Sequence, residues 1–82
     1  MKMSDFISLG FDNFVDRKRI VAVLKPGSSP MRKLKELKKK EGLLVDATSG
    51  KPTRSFILLD NGVLFLSSHL PETIIERIGN EN

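Results

Sequence analysis

The sequence predicts an α+β domain, a small and mainly antiparallel sheet of four to five strands carrying two helices. Three observations predict it. Four short apolar runs (20–24, 43–45, 56–59 and 63–66) have strand length and are bounded by turn residues. Two further stretches open on helix-start signals, Ser28-Ser29-Pro30 and Leu70-Pro71-Glu72-Thr73. Residues 1–82 are expected to form one domain with a frayed tail over 79–82.

In chain order, Asp5 to Phe11 reads as a first strand closed by Gly10, with a turn at Asp12-Asn13. Asp16 to Arg19 leads into the run Ile20–Leu24, which Pro26-Gly27 ends. Arg19 stands at that strand's entrance, where a long side chain reaches solvent. Serine as N-cap and Pro30 at the first helical position start a helix that runs to about Glu41, and Gly42 suits the left-handed C-cap. Met31, Leu34 and Leu37 form its narrow apolar stripe. Arg32, Lys33, Lys35, Lys38, Lys39 and Lys40 surround that stripe, the last three also suiting the helix dipole.

The third strand, 43–45, joins the fourth, 56–59, through Ser49-Gly50-Lys51-Pro52. Two strands joined by this basic turn would hold Lys51 and Arg54 out from a rigid sheet, a usual place for binding residues. Asp60-Asn61-Gly62 is a tight-hairpin signal, because its central positions tolerate positive φ, so 63–66 pairs antiparallel with 56–59. A last helix opens at Leu70-Pro71 with Ile74, Ile75 and Ile78 on its apolar side.

These strands are apolar on both faces instead of alternating, the pattern of strands covered on both sides. Two modest helices are expected to cover one face, leaving the second face or an edge to another copy of the chain. Small size points the same way. A chain of this length buries roughly 60–65% of its unfolded surface. It has no cysteine for disulfides or a thiolate metal site, so oligomerisation is the expected source of extra stability.

The net charge of +4 is unevenly spread. Residues 17–54 carry twelve Lys and Arg against three acids, a sum of +9, while 1–16 sum to −2 and 55–82 to −3. A segregated positive field attracts polyanions. No stretch approaches the ~20 apolar residues of a membrane span, and MKMSDFISLG has no signal-peptide core. The expected location is the cytoplasm, with the nucleoid as the site of action and no membrane partner.

Catalytic chemistry finds no constellation. His69 is the one histidine and reads as structural, the acids are scattered, and Asp46 reads as an acceptor for backbone N–H groups at the start of a turn. Ser-Gly-Lys-Pro-Thr is no phosphate-binding P-loop, having Val45 and Pro52 where that loop needs Gly and Ser or Thr. LPET at 70–73 is followed by Ile74 where a sortase signal needs glycine. The expectation is a non-enzyme with no catalytic residue, metal, cofactor or small-molecule substrate. With no Tyr or Trp among the basic residues, single-stranded base stacking is disfavoured and double-stranded DNA is the favoured anion.

The pattern FISLGFDNFV, RIVAV, SSPMRKL, GLLVDATSGKPTRS, ILLDNGVLFLSS and PETIIERI resembles the RemA family of small bacterial regulators, the extracellular matrix regulatory proteins. It runs from about Phe6 to Ile78. The resemblance implies a DNA-binding transcriptional activator of biofilm-matrix genes. It also implies a closed homo-oligomeric ring that meets DNA through exposed arginines repeated around it. Carried over by position, those arginines fall on Arg19, Lys51 and Pro52. Arg19 matches, Lys51 keeps the charge, Pro52 departs, and Arg54 matches a basic position of the pattern. The expected DNA-binding set is therefore Arg19, Lys51 and Arg54, with Lys33, Lys35, Lys38, Lys39 and Lys40 as auxiliaries. The alternative is a structural oligomer whose basic surface binds an acidic protein partner.

Overall fold

The computed structural model describes residues 5–80. Six strands and two helices follow in the order β1 (Phe6–Gly10), β2 (Asn13–Asp16), β3 (Ile20–Leu24), α1 (Ser29–Glu41), β4 (Leu44–Asp46), β5 (Ser55–Leu59), β6 (Leu64–Ser67) and α2 (Pro71–Gly79). A single 3-10 turn over Arg17–Arg19 links β2 to β3, and the Asp16 carboxylate caps it by accepting from Lys18 N at 2.9 Å. The α+β class is as expected, but the strands form two sheets. β1 and β2 make an antiparallel hairpin, while the others form a four-stranded sheet in the order β3-β5-β6-β4.

The β1–β2 turn shows why β2 was not legible. Phe11 and Asp12 both have positive φ, 51° and 64°, the conformation of a primed two-residue hairpin turn. Phenylalanine rarely adopts it. The turn expected at Asp12-Asn13 stands one residue earlier, at Phe11-Asp12, and Asn13 already opens β2. Asn13 compensates, its side-chain amide donating to the carbonyls of Gly10 and Phe11 at 3.0 Å. At Asp60-Asn61-Gly62, by contrast, only Gly62 has positive φ, 89°. Gly62 N donates to Leu59 O at 3.1 Å and Leu59 N to Val63 O at 2.9 Å, a turn that closes on a left-handed glycine. The β5–β6 hairpin stands as read, with a longer loop than the tightest turn.

Helix α1 begins at Ser29, one residue before the expected Pro30, and ends where its C-cap predicts. Ser28 Oγ accepts from Met31 N at 3.3 Å, and Gly42 ends the helix in the left-handed conformation. The third and fourth strands of the sequence reading are not neighbours, however. β6 lies between β4 and β5, pairing parallel with β4 and antiparallel with β5. A parallel pair needs a crossover longer than any hairpin turn. Here it is the path from Asp46 through β5 and back.

Alternation along β5 and β6 sorts the core into two layers. Phe56, Leu64 and Leu66 face α1, joined by Leu24, Met31, Leu34, Leu44 and Leu58. Ile57, Phe65 and Leu59 face the other way, toward Ile74 and Ile78 of α2 and Ile7, Leu9 and Val15 of the hairpin. The two-sided apolar strands are thus covered within one chain, by α1 on one face and by α2 with the hairpin on the other. The face expected to need a second copy is filled by Ile7 and Leu9 of β1, Val15 of β2 and Ile74 of α2. Ile57 is fully buried between the layers. Truncating such a side chain to alanine costs about 2–5 kcal/mol, a large share of a small domain's stability.

Gly79 is the last residue of α2, and Arg17 Nη1 donates to Ile78 O at 3.2 Å and to Asn80 O, tying the helix end to the 3-10 turn. Residues 81 and 82 lie outside the described residues.

Candidate nucleic-acid interface

The segment from Asp46 to Arg54 is pinned at both ends and exposed in the middle. Asp46 accepts from Thr48 N at 2.9 Å and from Thr48 Oγ1 at 2.6 Å. Those bonds hold its carboxyl below the usual carboxylate range, against the opposing effect of desolvation, with Lys35 adding attraction. This is the acceptor role its place before a turn suggests. Ala47 and Thr48 are buried, and Ala47 N donates to Leu66 O at 2.9 Å. Beyond them Ser49 and Gly50 turn the chain with positive φ, and Lys51 N closes back on Thr48 O at 3.0 Å. Arg54 N then donates to Ser67 O at 2.8 Å, and buried Ser55 donates through Oγ to His69 O at 2.7 Å.

Between these anchors Ser49 to Pro52 and Arg54 are exposed. Neither the Lys51 ammonium nor the Arg54 guanidinium is in an ion pair among the described residues. Two cations held on a braced backbone and left unneutralised are available to an external anion. Arg offers a planar pair of donors to a phosphate and Lys a point charge.

Arg19 lies elsewhere. Its carbonyl accepts from Asp60 N at 2.8 Å, just beyond the end of β5, while Arg54 stands just before its start. At about 3.3 Å per strand residue, that separates Arg19 from Arg54 by roughly 20 Å along the sheet. Its guanidinium meets the Asp60 carboxylate at 3.5 Å with both side chains exposed, a pairing too weak to hold it from a stronger anion. Within one subunit the three candidate contacts therefore occupy opposite ends of the sheet.

The α1 cations divide as well. Lys33, Lys39 and Lys40 are exposed, whereas Lys35 and Lys38 lie partly buried on the helix flank. The Lys38 ammonium reaches Glu41 at 3.7 Å, beside Gly62, with its side chain 14% exposed. Sequence reasoning missed the buried hydroxyls that brace the loop, Thr48, Ser55 and Ser67, and the inward-turned Arg77, which donates to Ser8 O at 2.8 Å. Only a turn-forming Asp-x-Thr spacing at 46–48 hinted at the first of these.

Residues 6–78, the span of both sheets and nearly all of α2, match the family RemA-like, extracellular matrix regulatory protein A-like. The chain belongs to the RemA-like family. Its relatives include proteins named as candidate regulatory proteins. That of Thermodesulfovibrio yellowstonii is 46% identical over 76 residues, covering 93% of this chain and 89% of the relative. That of Nitratidesulfovibrio vulgaris is 47% identical over 76 residues, covering 93% and 86%. A Thermotoga maritima relative is 44% identical over 75 residues, covering 92% and 82%. This RemA-like chain is thus similar over almost its whole length to proteins named for regulation. Among its described residues no helix is long and apolar enough to cross a membrane.

Proposed function

We propose that this RemA-like chain is a transcriptional regulator that binds duplex DNA through basic residues repeated on a homo-oligomeric ring, activating biofilm-matrix genes from the nucleoid. The observation that carries this reading is the braced loop 46–54, which presents Lys51 and Arg54 exposed and, among the described residues, outside any ion pair. Arg19 is the third contact. A single subunit supplies two cations at one end of its sheet and one at the other, a small and divided footprint. Repetition around a ring turns many weak phosphate contacts into one strong attachment. Phosphate contacts position the duplex and carry little sequence information.

Fluorescence anisotropy with a labelled duplex of about 40 base pairs across a salt series tests this reading, since each phosphate neutralised adds about −0.9 to the slope of log affinity against log salt. A slope steeper than about −4 requires more phosphates than Arg19, Lys51 and Arg54 of one subunit neutralise, and is the expected result. Absence of binding at low salt would overturn the proposal.

A further inference from the structure

The two helices cover opposite faces of the sheet, and their outward sides are complementary. On α1, Leu37 is 51% exposed although it belongs to the helix's apolar stripe. Lys33 lies four residues before it and Lys40 three after, on neighbouring positions of the helix surface. Arg32, Lys33, Glu36, Leu37 and Lys40 line one shallow open groove. Four of those five side chains are charged, and only Glu36 is acidic. On α2, Ile74 is fully buried while Ile75 is 56% exposed. Glu72 and Glu76, one helical turn apart, stand on either side of it, both exposed. Gly79, one turn beyond Ile75, leaves that side open to close approach. Arg77, the one cation of α2, is turned inward onto Ser8 O.

We infer that the outward side of α1 is an interface for the outward side of α2 of a second copy, with Leu37 packing against Ile75 and Lys33 and Lys40 pairing with Glu72 and Glu76. A patch that is apolar at its centre and cationic around it fits an occupant with the opposite charges around an apolar centre. The same molecule carries one. The two patches differ, so the contact is head-to-tail, and it continues from copy to copy until it closes as a ring or extends as a filament. This assignment rests on the oligomer of the proposed function and names the surfaces that build it. It leaves Arg19, Lys51 and Arg54 outside the contact. It also takes Lys33 and Lys40 from the set of auxiliary DNA contacts.

Charge reversal tests the pairing through size-exclusion chromatography with light scattering at micromolar concentration, with circular dichroism to check folding. One variant carries Lys33→Glu and Lys40→Glu, and the other carries Glu72→Lys and Glu76→Lys. Every substituted side chain is exposed. The expected result is an oligomeric parent, two folded variants that each run as monomers, and an assembly of parent size when the two are mixed. Mixing restores opposite charges at each junction of an alternating assembly. An oligomeric parent whose variants also assemble unaided would overturn the surface assignment alone. Monomeric variants that stay apart on mixing would overturn the pairing of α1 with α2. A monomeric parent would overturn both this inference and the ring. Unchanged assembly with duplex binding weakened only by the α1 variant would assign that face to DNA.

Discussion

The hydroxyl of Ser67 donates to the carbonyl of Leu9 across 2.8 Å, and both residues are fully buried. This one bond ties the hairpin to the end of the four-stranded sheet. The same oxygen accepts from His69 N at 3.1 Å, so it also shapes the entry to α2. Ser67 thus joins the sheet to the hairpin and to the entry of α2, the two parts that close its second face.

Replacing Ser67 with alanine leaves the Leu9 carbonyl buried without a donor. An orphaned buried group costs about 1–3 kcal/mol. For a domain of this size each kcal/mol lowers Tm by roughly 4–8 °C. A thermal melt followed by circular dichroism should show that loss, and an unchanged Tm would show that another group satisfies the carbonyl.

Gly10 is held by conformation and by a neighbour. Its φ is +103°, and a Cβ there would stand 3.1 Å from His69 Nε2. Gly10→Ala is expected to destabilise the fold by more than ~1 kcal/mol, since both backbone strain and crowding oppose it. The melt of Gly10→Ala checks this, and a parent-like midpoint would mean that the imidazole moves aside freely.

Protonation should weaken the same corner. Burial, with the nearby Arg77 charge, lowers the pKa of His69 from its ordinary 6.5. The unfolded chain therefore binds the proton more readily, so this contribution is complete above pH 6.5 and is lost as pH falls from there through the folded-state value. Asp46, held low by Thr48, adds a second loss as pH falls below 3.8. Urea unfolding at pH 7.5, 6.5 and 5.5 should show midpoints falling over the upper window. His69→Gln should flatten that fall, and an equally steep fall in the variant would place its origin elsewhere.

Arg54→Ala and Arg19→Ala are each expected to weaken duplex binding several-fold while leaving the melt parent-like, because both side chains are exposed. Pro52→Arg should strengthen binding and steepen the salt slope, by adding a cation to the loop between Lys51 and Arg54. Anisotropy titrations of the three variants beside the parent decide it. Equal affinities throughout would remove these positions from the contact set.

The sequence by itself determined the local pieces. Ser28, Pro30 and Gly42 mark α1 because caps act within one turn of chain. Asn61-Gly62 marks the β5–β6 hairpin for the same reason. Lys51 and Arg54 were legible as loop cations because turn residues surround them. The tertiary structure alone decided what depends on distant neighbours. β6 separates β4 from β5, so the two strands flanking the basic loop never pair. β2 hides behind a positive-φ Phe11 that only Asn13's bonds make tolerable. Arg19 stands at the opposite end of β5 from Arg54, a relation set by the antiparallel register of β3 and β5. The apolar character of each strand announced that both faces would be covered. Which elements cover them was fixed by long-range packing, whose partners lie as far apart in sequence as Leu9 and Ser67.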